Sequence, residues 1–214
     1  MNSEANFDVL YILRSLENTY NYLNMAEIQN ICYLSLLVSV FDKNPISEWG
    51  YEFIYNNDDP FSDAITNEID IMVKNGTIVK GSNENYRLSN KAKRIFSVID
   101  NLGEFCKRKK YLQVSTDAAL IIPIPEFMNS MNYEPLIASK RNVFDREALG
   151  YGISINKLYD HFEGIRKVLG INNYDLWAVS VLWLKYLEGI SNDMGVGKSE
   201  FGFIKGSIWK SFNS

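Results

Sequence analysis

The chain has 214 residues, 46% of them apolar and 22% charged, the composition of an ordinary globular protein able to bury a real core. Its formal charge is −4, which argues against a free-standing nucleic-acid binder while leaving room for a local basic patch. Two cysteines, Cys32 and Cys106, are too few for a disulfide framework. The start lacks the basic-then-apolar order of a secretory signal, and no apolar run reaches the roughly 20 residues that span a bilayer, so a cytoplasmic protein is expected.

Residues 1–6 read as a frayed end. Phe7 to Tyr22 reads as a helix with Leu10, Leu13 and Leu16 among its apolar positions. Asn24, with Glu27 three residues on, is the signature of a capping box and opens a helix from Met25 to Phe41. Ile28, Ile31, Leu34, Leu37, Val38 and Phe41 recur there at spacings of three and four, so it is a core helix. Tyr51 to Tyr55 reads as a short aromatic strand ending in the polar turn Asn56 to Pro60. Ser62 is placed to cap a helix of about 13 residues, near the usual length, with Ile65, Ile69, Met72 and Val73 on one face. Gly76 stands at its C′ position. Thr77 to Lys80 and Asn85 to Leu88 then form two strands around the turn Gly81 to Glu84. Helix, stop and hairpin make up the second half of a winged helix.

Ser89 caps a further helix with Ala92, Ile95, Phe96 and Ile99 inward. A polar stretch then ends in Lys107, Arg108, Lys109 and Lys110, the most basic run of the chain, after which a domain boundary is expected. Residues 111–152 read as a connector with short elements. Leu120 to Pro125 is apolar but holds two prolines, which suits an edge strand or an extended link. Glu126 to Met131 and Asn142 to Leu149 are candidate short helices. Ser154 and Asn173 cap two C-terminal helices. The first turns Leu158, Phe162, Ile165 and Leu169 inward. The second is apolar nearly all round, through Leu176, Trp177, Val179, Val181, Leu182, Trp183, Leu184 and Leu187. A helix of that kind is buried on more than one side, by its own chain or by a partner. The Gly-rich tail keeps Phe201, Phe203, Ile208, Trp209 and Phe212, the pattern of a docked arm. The fold class is therefore mainly α with a small β-wing: a winged-helix domain over 1–110, a connector over 111–152, and a helical domain with its tail over 153–214. A second winged helix in the C-terminal half stays open.

The residues that could carry chemistry do not assemble into a device. Gly197-Lys198-Ser199 resembles the end of a phosphate-binding loop, but Asn192 stands where the first glycine belongs and no strand precedes it. His161, the one histidine, has no nucleophile signature near it. One histidine and two distant cysteines lack zinc-ligand spacing. No enzyme, cofactor or metal is expected. Cys32 reads as a buried thiol. On the helix that a winged helix lays in the major groove, Asp63, Thr66, Asn67, Asp70 and Lys74 lie outward and Glu68 lies at the flank. Acids there would press on phosphates, whose contacts need cations. The nucleic-acid candidates are instead Arg94, Lys107, Arg108, Lys109 and Lys110. The partner-interface candidates are Leu176, Trp177, Trp183, Leu187, Phe201 and Trp209.

The order of features from 25 to 100 resembles the small middle component of three-component ABC-ATPase defence systems, the Lamassu-type anti-phage systems. The residues that carry the resemblance are the apolar helix before Trp49-Gly50-Tyr51-Glu52-Phe53, then Pro60-Phe61-Ser62 opening a helix, then Lys74-Asn75-Gly76-Thr77-Ile78-Val79 and the wing. Asp59 stands where members of that group often have glycine. Panacea-type antitoxins share a comparable Pro-Phe-Ser pattern. The first resemblance implies a non-catalytic subunit that bridges an SMC- or Rad50-like ATPase to an effector nuclease and couples DNA sensing to effector control, with DNA met mainly through the complex and no membrane. The second implies a DNA-binding regulator or antitoxin.

Overall fold

A computed structural model describes residues 1–57, 59–99, 103–140, 148–150, 154–169 and 175–195. Helix α1 spans Ser3–Leu16 and begins earlier than the periodicity suggests. The Asn2 side chain accepts from the Ala5 N–H at 2.8 Å and caps it. Asn6 Nδ2 donates to the buried Glu68 at 3.1 Å, which ties this start down. The helix ends at Leu16, where the Tyr20 N–H returns to the Leu16 carbonyl at 2.8 Å. The segment read as its last turn and a half instead leads into strand β1, Leu23–Asn24.

Helix α2, Met25–Phe41, opens with the full capping box of Asn24 and Glu27. From Ile28 to Phe41 every residue is buried. The polar members among them find partners: Ser35 Oγ donates to the Ile31 carbonyl at 2.9 Å, and Ser39 Oγ to that of Leu36 at 2.7 Å. A 3-10 turn, Ile46–Trp49, precedes the aromatic stretch, and of the strand expected over Tyr51 to Tyr55 only Ile54 and Tyr55 enter one, as part of a hairpin. Strands β2 (Ile54–Asn56) and β3 (Asp59–Phe61) pair antiparallel, Ile54 opposite Phe61 and Asn56 opposite Asp59.

Helix α3, Asp63–Lys74, is stopped as its sequence predicts. Gly76 takes φ +73°, and the Thr77 and Gly76 N–H groups return to the Met72 and Val73 carbonyls at 2.8 and 3.1 Å. Strands β4 (Ile78–Lys80) and β5 (Asn85–Leu88) follow, with Val79 opposite Arg87. β1 joins the other edge of β5, so the sheet order is β1-β5-β4, all antiparallel. Ser89 Oγ accepts from the Ala92 N–H at 3.2 Å at the start of α4, Asn90–Ile99.

The second half corrects the sequence reading most. Helix α5, Cys106–Ile121, runs through residue 110 without a break, where a boundary was expected. Its Tyr111, Leu112, Ala118 and Ala119 join the same core as Phe7, Leu10 and Leu34, so no boundary falls there. The stretch 120–125 is neither a strand nor a long link. Pro123 is the N-cap residue of α6, Ile124–Met131, and Pro125 sits in its first turn, where helices need no N–H donor. Helices α7 (Pro135–Lys140), α8 (Ser154–Leu169) and α9 (Leu176–Gly195) complete the described chain. Phe162 of α8 meets Phe41 of α2 and Trp183 of α9, each with ring centroids 5.2 Å apart. Ala148 bridges to Ile54, and the Leu149 N–H donates to the Phe53 carbonyl at 2.7 Å. The helix expected over Asn142 to Leu149 lies mostly outside the described residues, as do the cap at Asn173 and the tail.

One buried carboxyl gives the fold a pH dependence. Glu134 is fully buried and precedes α7, accepting from the Leu136 and Ile137 N–H groups at 3.0 and 2.9 Å and from the Tyr33 hydroxyl at 3.0 Å. Burial outweighs these donors and pushes its pKa up to about 7. A carboxyl raised on folding favours the native state at low pH, and that contribution is lost as the pH rises through the folded value. Chemical denaturation at a series of pH values should show this group's contribution fading between about pH 4.5 and 7, by about 3 kcal/mol at most. Glu134→Gln should flatten that part of the curve.

Candidate functional site

The outer face of α3 is positioned from α2. The Gln29 side chain accepts from the Ser62 N–H at 2.9 Å and donates to the Ser62 carbonyl at 3.1 Å and to Thr66 Oγ1 at 3.2 Å. Ser62 holds the N-cap position predicted for it, yet its own Oγ has no partner, because Gln29 has taken over the start of the helix. Asn30, next on α2, donates to Asp59 at 3.0 Å and fixes the end of the hairpin.

Asp63, Asn67, Asp70, Ile71 and Lys74 remain exposed on that face. Glu68, read as flanking it, is buried and faces the start of α1. Two apolar side chains lie outward instead: Ile71 on α3 and Val79 on β4, each 37% exposed. In the β4–β5 hairpin Lys80 Nζ lies 2.8 Å from Glu84, and Arg87 is exposed over the Tyr22 ring. Mixed acidic and apolar, this face carries little of what phosphates need.

The basic run at the start of α5 is split by the fold. Arg108 points inward with its side chain 10% exposed. Its Nε and one terminal nitrogen donate to the two Asp8 oxygens at 2.5 and 2.6 Å, and the other nitrogen reaches the Trp49 carbonyl at 2.6 Å. The guanidinium lies 3.8 Å from the centroid of the Trp49 ring. Tyr51 adds a hydroxyl donor to Asp8 at 2.5 Å. Burial pushes the Asp8 carboxyl above its ordinary value, against the pull of Arg108 and of the hydrogen bonds from Arg108 and Tyr51. Arg108 is therefore an internal lock and not a nucleic-acid contact. Lys110 pairs with Asp42 at 3.1 Å. Lys107 stays outward, Lys109 is half-buried, and Arg94 is exposed on α4.

The partner-interface residues are divided too. Leu176, Trp183 and Leu187 are buried in the chain's own core, so they are not docking residues. The outward part of α9 is Trp177, 36% exposed, and Leu182, 43% exposed, with half-buried Val181 between them. Phe201 and Trp209 lie outside the described residues, as does Gly197-Lys198-Ser199.

His161 sits edge-on to Tyr186, with ring centroids 5.4 Å apart, and burial lowers its pKa against the pull of Asp160. Cys32 is a buried free thiol and Cys106 an exposed one. Among the described residues no group of His, Cys, Asp and Glu could hold a metal ion, and no helix is long and apolar enough to cross a membrane.

Asp8, Glu134 and the burial of Glu68 escaped the sequence reading, although one signal was present. Asp8 falls in the stripe Ala5, Asp8, Ile12 and Leu16, a charge on an otherwise apolar helix face. Comparison with known proteins returns no matching family model, no matching curated protein and no matching solved structure.

The two roles of the basic run separate by stability. Arg108→Ala leaves Asp8 charged and buried without its partner and should destabilise by about 3–5 kcal/mol. Lys107→Ala, at an exposed site, should stay within about 0.5 kcal/mol. Urea unfolding of both variants measures the difference.

Proposed function

We propose that the chain is a non-catalytic winged-helix subunit that binds partner proteins through α3, the wing and the outward part of α9. In the reading its resemblance implies, the partners are an SMC- or Rad50-like ATPase and an effector nuclease of a Lamassu-type anti-phage complex in the cytoplasm. The element order α1-β1-α2-β2-β3-α3-β4-β5, with the sheet order β1-β5-β4 and the β2-β3 hairpin inserted between α2 and α3, supports the winged-helix assignment. The observation that carries the functional reading is the outer face of α3. It presents Asp63 and Asp70 beside exposed Ile71 and Val79, and the nearby Lys80 is paired with Glu84. Acidic and apolar side chains together suit a protein partner, in which apolar area is buried and a polar rim sets specificity. They suit a phosphate backbone poorly.

The test is an affinity pull-down of the tagged chain expressed with its neighbouring genes, read by mass spectrometry. A coiled-coil ATPase in near-stoichiometric amount is the expected result. Trp177→Asp combined with Leu182→Asp should lower its recovery severalfold, with thermal melting little changed because both side chains are already exposed. Recovery of the chain alone, or with one small toxin, would overturn the subunit reading. A DNA-binding regulator or Panacea-type antitoxin would then be favoured.

A further inference from the structure

Glu134 is a fully buried carboxyl at the meeting point of elements far apart in the chain. From α2, the Tyr33 hydroxyl lies 3.0 Å from its Oε2. From the first turn of α7, the Leu136 N–H donates to Oε1 at 3.0 Å and the Ile137 N–H to Oε2 at 2.9 Å. Pro135, the first residue of that helix, has no N–H to give. Both remaining donors of the turn therefore end on one side chain. The Glu134 backbone extends the junction to α6, since its N–H donates to the Met131 carbonyl at 3.0 Å.

The surroundings favour one charge state of this carboxyl. Among the described residues, no cation and no second acid of α2, α6, α7 or α8 acts on it. The titratable group that faces it is Tyr33. That hydroxyl stays neutral, because burial, and then the carboxyl itself, push it well above its ordinary value. A buried carboxylate among neutral donors pays for its desolvation, and the neutral acid does not. The Tyr33 hydroxyl can donate to the ionised carboxyl or accept from the neutral one, so the neutral form keeps its contact with α2. The penalty falls on the ionised form, and water relieves it once α7 swings open.

We propose that Glu134 is a proton-operated latch: neutral, it closes α7 onto α2, and ionised, it releases α7 while the core around α2 stays folded. The closed form holds the proton more tightly than the open form. Opening therefore sheds a proton, becomes easier as the pH rises above the ordinary carboxyl range, and levels off above the value of the closed form. The latch does not rest on the subunit reading.

The test is hydrogen exchange of the full chain, read by mass spectrometry from about pH 4.5 to about pH 8 and corrected for the intrinsic pH dependence of exchange. Peptides over residues 136–140 report the opening of α7. Their opening should rise about tenfold per pH unit between about pH 5 and 6.5, by about two orders of magnitude in all, and level off near pH 7. Peptides from α3 and α5 should show no such rise. Glu134→Gln, which cannot ionise, should make the α7 profile flat. Tyr33→Phe removes a donor to the ionised form, so there the rise should continue to higher pH. The proposal is overturned if α7 opening in the parent is independent of pH, if the same rise persists in Glu134→Gln, or if α3 and α5 rise in step with α7. The last result would mark Glu134 as a contributor to overall stability only. The parent's profile, segment by segment, decides the matter even where a variant fails to fold.

Discussion

The structure depends on one helix that has no outer face. From Ile28 to Phe41, α2 is enclosed on every side, so each polar group on it must find a partner within the protein or cost stability. Those obligations organise the neighbours. Gln29 holds the start of α3, Asn30 holds the hairpin at Asp59, and Tyr33 reaches the carboxyl that begins α7. Phe41 carries the contact on to α8 through Phe162. Elements far apart in sequence are thus oriented from one axis.

A second constraint acts on charge. Arg108 and Asp8 are separated by 100 positions, yet they form a two-point ion pair under Trp49 and Tyr51. Such a pair is poor evidence for stability by itself, because desolvating both charges is expensive. Its stronger effect is geometric. It fixes the rotation of α5 against α1, and so decides which of four successive basic residues face solvent. The electrostatic surface therefore cannot be read from the density of lysine and arginine along the chain.

The parts of the fold that rest on local chemistry were legible. The capping box at Asn24 and Glu27, the glycine stop at Gly76, and the strands of the hairpin at 78–88 all follow from residues within a few positions of one another. Other features depend on partners far away in sequence. The prolines at 123 and 125 read as an extended link because the same residues suit a helix start equally well. The apolar girth of α9 left open whether its own chain or a partner buries it, since a sequence does not say how many neighbours a helix has. Trp183 and Leu187 face the chain's own helices. The candidate site divided in the same way: the acidity of α3 was visible, whereas the burial of Glu68 and Arg108 was not.

The two thiols make the enclosure of α2 observable. Cys106 is exposed at the start of α5, while Cys32 lies within the core, where burial pushes its thiol well above the usual range. An alkylating reagent attacks the thiolate. Cys106 therefore reacts at the pace of a surface group, whereas Cys32 reacts only in molecules whose core has opened. The ratio of the two rates is a clock for excursions of the central helix, read from one native chain without any substitution.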